Sequence, residues 1–337
     1  MNINQLPDLT RDWSGTLAEG TIYKVENGSF ILLNQLPFKS SVTVLLADRI
    51  ARADVELFLK LADKYHLQTC YAGIFNESGV DGVIFIHDRF DNEYSQELKF
   101  LDWKIDAFHA GSLPDTSKTG VILMDMDATC VQCECIDEMA KLAGIGEQVS
   151  AVTAMAMKGH MEFQESFRRR VALFNGKSES IMDTVEENLP VMPGFAELVK
   201  KAKSYGWKLA IASGGFTRYV TKLKNEFGLD YVIANDIEAV DGVFTGKVLG
   251  QIVDSKVKAN TLLKLKEQYG VRTSETIAIG DGANDLPMIS LAGTGIAIHA
   301  KPVVREKAPI TINHLNLHAA AAILEASTLL SKIKTEI

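Results

Sequence analysis

Three short stretches carry residues that could do chemistry, and each closes an apolar run. Val121-Ile122-Leu123-Met124 delivers Asp125 and Asp127. Leu209 to Ala212 runs into Ser213-Gly214-Gly215, and Thr276 to Ile279 runs into Gly280-Asp281-Gly282. Short apolar runs that stop abruptly read as buried parallel strands. In open α/β sheets, ligands bind just beyond the carboxyl ends of such strands. Residues two apart on a strand share a face, so Asp125 and Asp127 can point at one site. Paired carboxylates there can hold Mg²⁺, attack as a nucleophile or exchange protons. Ser213 offers a hydroxyl, and Gly214 and Gly215 let backbone N–H groups approach an anion closely. Lys258, near the start of a helix, adds a fixed positive charge. The set suits phosphoryl transfer, where catalysis is mainly positioning and charge stabilisation. An acidic turn after a core strand is the plain alternative for Asp-x-Asp alone; the other two stretches argue against it.

These residues need a frame that brings three strand ends to one edge. From Pro193 onward, helices and strands alternate in the manner of a parallel α/β sheet. The spacing predicts helices over 195–205, 218–227 and 258–269, and strands over 208–213, 231–234 and 276–282. It also predicts a hairpin over 237–253 around Asp241-Gly242, strands over 295–299 and 310–312, and a closing helix over 317–330. Residues 136–190 show helical spacing with little strand pattern, so they read as a helical insert behind the first strand. Residues 111–120 form a polar linker containing Pro and Gly. Ahead of it the order is strand 42–46, helix 54–65, strands 67–75 and 82–87, helix 94–103 and strand 105–109. That β-α-β-β-α-β order matches ferredoxin-like folds. A hairpin over 21–33, turning at Asn27-Gly28, precedes it. No catalytic cluster falls in this first part, so its removal is expected to leave the chemistry intact.

The chain has 337 residues, a formal net charge of −8 and an apolar fraction of 47%. That length suggests about two domains with sizeable cores. The acidic balance argues against nucleic-acid and membrane partners. No apolar stretch approaches the ~20 residues that span a bilayer. The start, Met1 to Gln5, has no basic region or long apolar run, so a signal peptide is not expected and the cytoplasm is. Cys130, Cys133 and Cys135 crowd together but lack a fourth ligand, and they read as small buried fillers. His160, His299, His314 and His318 read as structural or surface residues.

Taken together, Asp125-Met126-Asp127-Ala128-Thr129, Ser213-Gly214-Gly215, Lys258 and Gly280-Asp281-Gly282-Ala283-Asn284-Asp285 resemble, in order, the four motifs of the haloacid dehalogenase-like (HAD) phosphatases. The helical insert stands where that family carries its cap. More narrowly, Glu134 and the stretch Met161-Glu162-Phe163-Gln164-Glu165-Ser166-Phe167-Arg168-Arg169-Arg170-Val171 resemble the members that act on phosphoserine. The resemblance covers roughly residues 119–315. It implies an α/β fold: a HAD-like, Rossmannoid parallel sheet with a helical cap insert, preceded by a small α+β domain of ferredoxin-like or ACT-like type. The expected boundaries are a regulatory-type domain over 1–115, a catalytic core over 119–135 and 193–337, and a cap over 136–192.

The resemblance also implies roles. Asp125 would be the nucleophile that forms an aspartyl-phosphate, and Asp127 the acid and then the base. Asp125, Asp127 and Asp281 would hold Mg²⁺, with Asp285 supporting the metal from behind. Ser213, Gly214 and Lys258 would hold the phosphoryl group, and Asn284 would touch substrate. Glu134 would pair with the substrate ammonium and Arg170 with its carboxylate, while Phe163 helps close the cap. The implied reaction is hydrolysis of O-phospho-L-serine to L-serine and phosphate, the last step of serine biosynthesis. A phosphatase or phosphotransferase acting on another small phosphate ester is the alternative. A homodimer stays open. Ala128 departs from the family, which usually has Ser there. The residues themselves leave plainer readings: Arg168, Arg169 and Arg170 as a solvated helix face, Glu134 as a helix-start acid, and Lys256 in place of Lys258.

Overall fold

The structure, a computed structural model, describes residues 22–26, 29–33 and 41–335, which form two sheets. The first is antiparallel, in the order β2-β1-β4-β5-β3-β6. Its strands are β1 (Ile22–Glu26), β2 (Ser29–Leu33), β3 (Ser41–Ala47), β4 (Thr69–Glu77), β5 (Val80–His87) and β6 (Asp106–Ala110). Helices α1 (Arg52–Lys64) and α2 (Asn92–Phe100) bury Val55, Phe58, Tyr94 and Leu98 against one face. Strands β3 to β6 with these helices have the ferredoxin-like order that the spacing predicts. The expected turn at Asn27-Gly28 lies outside the described residues. Helix α2 lies earlier than the predicted 94–103. The Asp91 carboxylate caps it by accepting from the Tyr94 N–H at 3.0 Å, and the helix stops at Phe100.

The second sheet has the order β10-β9-β8-β7-β11-β12-β13. Its strands are β7 (Val121–Met124), β8 (Lys208–Phe216), β9 (Tyr231–Val240), β10 (Val243–Leu249), β11 (Thr276–Gly280), β12 (Thr294–Ile298) and β13 (Ile310–Ile312). All neighbours pair in parallel except β9 and β10. The strand predicted over 231–234 and the hairpin arm from 237 are one continuous strand. Its first half pairs with β8, and its second folds onto β10 through Asp241 and Gly242, both at positive φ. Strand β7 sits centrally although it comes first. The chain runs outward from it to β10, then crosses back to β11. Strand order therefore reverses beside β7, which is where ligands bind in such sheets. Met124 is in register with Ile211 of β8 and Ile279 of β11, so the three functional stretches end at one level.

The insert comprises α3 (Cys135–Leu142), α4 (Gly146–Met157), α5 (Phe163–Ala172) and α6 (Ile181–Glu187). It joins the core through a two-stranded stalk. Val131 bridges Val191, the Gln132 N–H donates to Pro190 O, and the Met192 N–H donates to Cys130 O. The remaining helices are α7 (Phe195–Ser204), α8 (Thr217–Phe227), α9 (Ser255–Gln268), α10 (Leu286–Leu291), α11 (Pro302–Lys307) and α12 (His318–Thr335). Helices α10 and α11 were not expected. Each has six residues with Pro in its first turn, too short to show an apolar period.

Helix α12 packs between the antiparallel sheet and α7. Ala319 to Leu324 are all buried, as a helix apolar all round must be. Its small residues allow the layers to approach. Val42, Val44, Leu46, Ile84 and Ile86 share one core with it, and Lys201 bridges Glu77 of β4 and Glu325 of α12 at 2.7 and 2.5 Å. The expectation that removal of residues 1–115 leaves the chemistry intact therefore carries a cost in stability. Their deletion would uncover the face of α12, and the truncated chain is expected to aggregate. Sedimentation of the truncated protein checks this; a soluble, active monomer would contradict it. Among the described residues, no helix is long and apolar enough to cross a membrane.

Candidate active site

The site is built from the ends of β7, β8 and β11. Asp125 continues the β7 ladder, its N–H donating to Ile279 O at 2.9 Å. Its Oδ1 accepts from the Met126 N–H, and its Oδ2 lies 2.7 Å from Lys258 Nζ. Helix α9 starts at Ser255, ahead of the predicted 258, because the Asp254 carboxylate accepts from the Lys256 and Val257 N–H groups. That start leaves Lys258 in the first turns, wholly buried, with its amine also 2.7 Å from Asp285 Oδ1. Asp285 Oδ2 accepts from the Gly282 N–H. Gly280 is required here, since a Cβ would meet Asp285 Cγ at 2.4 Å.

Asp127 Oδ1 accepts from the Cys135 N–H at 3.1 Å, filling an open donor at the start of α3. The chain gets from Asp127 to α3 by turning through Ala128, whose φ of +52° is unfavourable for a residue with a Cβ by about 1 kcal/mol. Gly215 approaches the other oxygen: a Cβ there would lie 2.6 Å from Asp127 Oδ2.

A cavity of about 370 Å³ lies between the sheet edge and the insert. Asp125, Asp127, Asp281, Gly214 and Asn284 line it from the sheet side; Glu134, Arg170 and Phe163 line it from the insert side. Of the three arginines on α5, Arg168 and Arg169 are exposed, Arg169 pairing with Glu165, while Arg170 turns to the cavity. Its guanidinium lies 5.8 Å from the Phe167 ring, and its Nε is buried without a partner. Two predicted residues do not reach the cavity surface. Ser213 is wholly buried, its Oγ accepting from the Gly215 N–H, and Lys258 sits behind Asp125. Lys301 and Val303 line the cavity but were not foreseen. Asn235 was also missed. It ties Gly214 O to the Val253 N–H at 2.8 and 2.7 Å, which fixes the glycine loop.

Burial raises the Asp125 carboxyl well above its ordinary range, with Asp285 adding repulsion and Lys258 opposing both. Asp127 is raised chiefly by burial. Burial and then Asp285 push Asp281 up to about 6. Glu134 is pushed up to about 8 by burial and by Asp127 and Asp281, although more than a third of it stays open, so solvent in the cavity works against that shift. The oxygens of Asp125, Asp281 and Asp285 lie within 4.8 Å of one another. Asp125 and Asp285 share Lys258 and each accepts from one backbone N–H, but of the three only Asp125 and Asp281 line the cavity. Hard oxygen donors crowded at a sheet edge fit a divalent cation. The Asp127 carboxylate, expected among the metal ligands, stands outside this triad.

The charges predict a pH dependence. Carboxyls raised on folding bind more protons in the folded chain than in the unfolded one. Metal-free stability is therefore highest below about pH 4 for these groups, and falls as pH rises through about 6 to about 8. A cation removes the repulsion. Mg²⁺ at 100-fold its Kd should raise Tm by about 5 °C near pH 8 and by much less near pH 5. Thermal unfolding with EDTA or Mg²⁺ at both pH values checks it; equal increments would count against the carboxylate cluster.

The sequence profile of the haloacid dehalogenase-like hydrolase family matches residues 122–290. Phosphoserine phosphatase of Haemophilus influenzae is 47% identical over 235 residues, covering 69% of this chain and 75% of that protein. The crystal structure of a probable phosphoserine phosphatase from Vibrio cholerae, in its unliganded form, superposes with a TM-score of 0.75 at 38% identity, over 89% of this chain and 91% of the other. A structure described as a phospho-aspartyl intermediate analogue of phosphoserine phosphatase matches with a TM-score of 0.58 at 38% identity, over 61% of this chain and 98% of the other. Profile, sequence and fold agree with the site geometry: this chain belongs to the haloacid dehalogenase-like hydrolases.

Proposed function

We propose that this chain is a Mg²⁺-dependent phosphatase that hydrolyses O-phospho-L-serine to L-serine and phosphate through an aspartyl-phosphate, the last step of serine biosynthesis. The observation that carries the reading is the meeting of Asp125, Asp127 and Asp281 with Glu134 and Arg170 around one cavity. The substrate has one cation and two anions. Glu134 takes its ammonium, and Arg170 grips its carboxylate with two parallel hydrogen bonds. The phosphoryl group then falls to the strand ends.

An Asp125 oxygen attacks phosphorus as the ester P–O bond breaks. Asp127, whose Oδ1 is occupied by the Cys135 N–H, carries its proton on Oδ2 and passes it to the departing serine alkoxide. Burial, by keeping that carboxyl protonated at higher pH than usual, suits it to this step. The same oxygen then takes a proton from water, which attacks the aspartyl-phosphate and restores Asp125. Lys258, fixed between Asp125 and Asp285, steadies the nucleophile and adds positive charge behind it. Ser213 acts by holding the Gly215 N–H, and Gly214 and Asn284 border the phosphoryl position. Asp125, Asp281 and the Asp127 carbonyl would hold Mg²⁺, which would supply positive charge to the phosphoryl oxygens. Phe163 covers the glycine loop, lying 3.1 Å from where a Gly214 Cβ would be, and excludes water.

In this reading, residues 119–135 with 193–337 do the chemistry in the cytoplasm, 136–192 together with Glu134 select the substrate, and 1–115 form the accessory layer. The test is phosphate release, with and without Mg²⁺, from phosphoserine, phosphothreonine, a sugar phosphate and an aryl phosphate. A strong Mg²⁺-dependent preference for phosphoserine is expected. Mg²⁺-dependent release without preference would keep the Asp125 chemistry and discard the substrate.

A further inference from the structure

One wall of the cavity is made by the segment after β12, where Lys301, Val303 and Val304 face it. The backbone there is held in an uncommon way. His299, just past β12, has φ +46°, a conformation that residues with a Cβ avoid unless their surroundings impose it. Its N–H donates to Ile312 O at 2.8 Å, and its Nε2–H donates to Leu315 O at 2.7 Å. The amides of that same stretch are taken up from the antiparallel sheet. Asp106 of β6, 1% exposed, accepts from the Asn313 N–H at 2.6 Å, the His314 N–H at 3.2 Å and the Leu315 N–H at 2.8 Å.

A second tie runs parallel. Lys99 of α2, also buried, donates to Ala308 O just past α11 at 2.7 Å, and the Arg305 guanidinium lies 5.7 Å from the Phe100 ring. The two layers already share an apolar core, so adhesion alone does not call for a buried carboxylate and a buried ammonium. Burying charges is costly unless they are hydrogen-bonded, and here both are spent on backbone groups of one segment. What they add is position. The stretch they fix, 308–315, in turn holds the His299 N–H and ring, and two residues on stands Lys301, whose Nζ lies at the cavity mouth 4.0 Å from Met157 Sδ of the insert.

We infer that Asp106 is a positioning residue for the reaction: through the amides of 313–315 and the ring of His299 it sets the cavity wall that presents Lys301 to an incoming anionic substrate. The kinetic consequence rests on the function proposed above; the mechanical one does not. The cavity is otherwise rich in carboxylates, so a cation at its mouth favours entry of a phosphate ester.

The test uses the full chain. Asp106→Asn keeps the shape but turns an N–H toward backbone donors. It should speed amide exchange about tenfold at 299–304 as well as at 313–315. It should also raise KM for O-phospho-L-serine about fivefold, with kcat held within about twofold. Lys301→Met, which leaves the ties intact, should give the same KM rise with wild-type exchange, and it stands in for the kinetics if Asp106→Asn does not fold. Faster exchange confined to 313–315, or an unchanged KM in either folded variant, would overturn the inference. If the wild type releases no phosphate from phosphoserine, the proposed function fails, and the exchange pattern still decides whether Asp106 positions the wall.

Discussion

Asp125→Asn should lower phosphate release by about 10⁴-fold or more, as removal of a covalent nucleophile does elsewhere. The fold should not suffer with it. Asp125 is buried beside Asp285 and Asp281, and its charge is disfavoured by both burial and repulsion. An amide keeps the size and the contact with the Met126 N–H, and Lys258 keeps Asp285 as its partner. The variant should therefore unfold at the same temperature as the wild type or higher in EDTA, because active-site charges are commonly held at the expense of stability. It should also lose most of the Mg²⁺-dependent rise in Tm, since of the triad only Asp281 then remains as a cavity-lining carboxylate. Retention of more than about 1% activity in a folded variant would remove Asp125 from the nucleophile's place. Loss of activity together with collapse of Tm would mean that the ion pair is structural, and the assignment would need Asp127→Asn to be judged independently.

The parts of this site that were legible in the sequence share one property: local pattern reports them. Asp125 and Asp281 end apolar runs, so their position at a sheet edge follows from strand burial alone. The helical insert shows itself by period. Arg170 stands among three arginines, and helical geometry allows only some of them to face inward; the structure turns Arg168 and Arg169 to solvent. What was hidden depends on contacts distant in sequence. Nothing local tells that Lys258 is entirely buried, because lysine is seldom so, and burial becomes tolerable only when Asp125 at the end of β7 and Asp285 at the start of α10 converge on it. Helix α11 has too few residues for a period, so the wall bearing Lys301 and Val303 left no trace. The role of α12 was half legible. The run Ala319-Ala320-Ala321-Ala322 looks like a good helix former, but that it lies between two layers is settled only by the uncovered face of the antiparallel sheet. The same pairing of layers is why removal of the antiparallel sheet is expected to cost stability.

Substitution of Arg170 should separate substrate choice from chemistry. Arg170 is turned into the cavity with its Nε buried and unpartnered, while burial lowers its pKa against the pull of Asp137, Glu134 and Asp127. A donor held in that state is favourable only if something else completes it, and a carboxylate does so with two hydrogen bonds. Arg170→Met removes the charge but fills similar space against Phe167. Losing one partner of a buried charge pair costs about 2–5 kcal/mol, so kcat/KM for O-phospho-L-serine should fall by about 30-fold to about 5,000-fold. An aryl phosphate has no carboxylate to lose, and its kcat/KM should change by less than about threefold. Arg170→Lys should recover only part of the loss, since an ammonium cannot form the fork. Glu134→Gln adds the complementary arm. The carboxyl must be ionised to pair with an ammonium, and it is raised, so wild-type kcat/KM for phosphoserine should climb as pH rises toward about 8, or lower where a bound cation relieves the repulsion. In Glu134→Gln that climb should vanish while the aryl phosphate profile stays as it was. Equal losses on both substrates would make Arg170 a packing residue of the insert and hand the selection of substrate to other groups around the cavity.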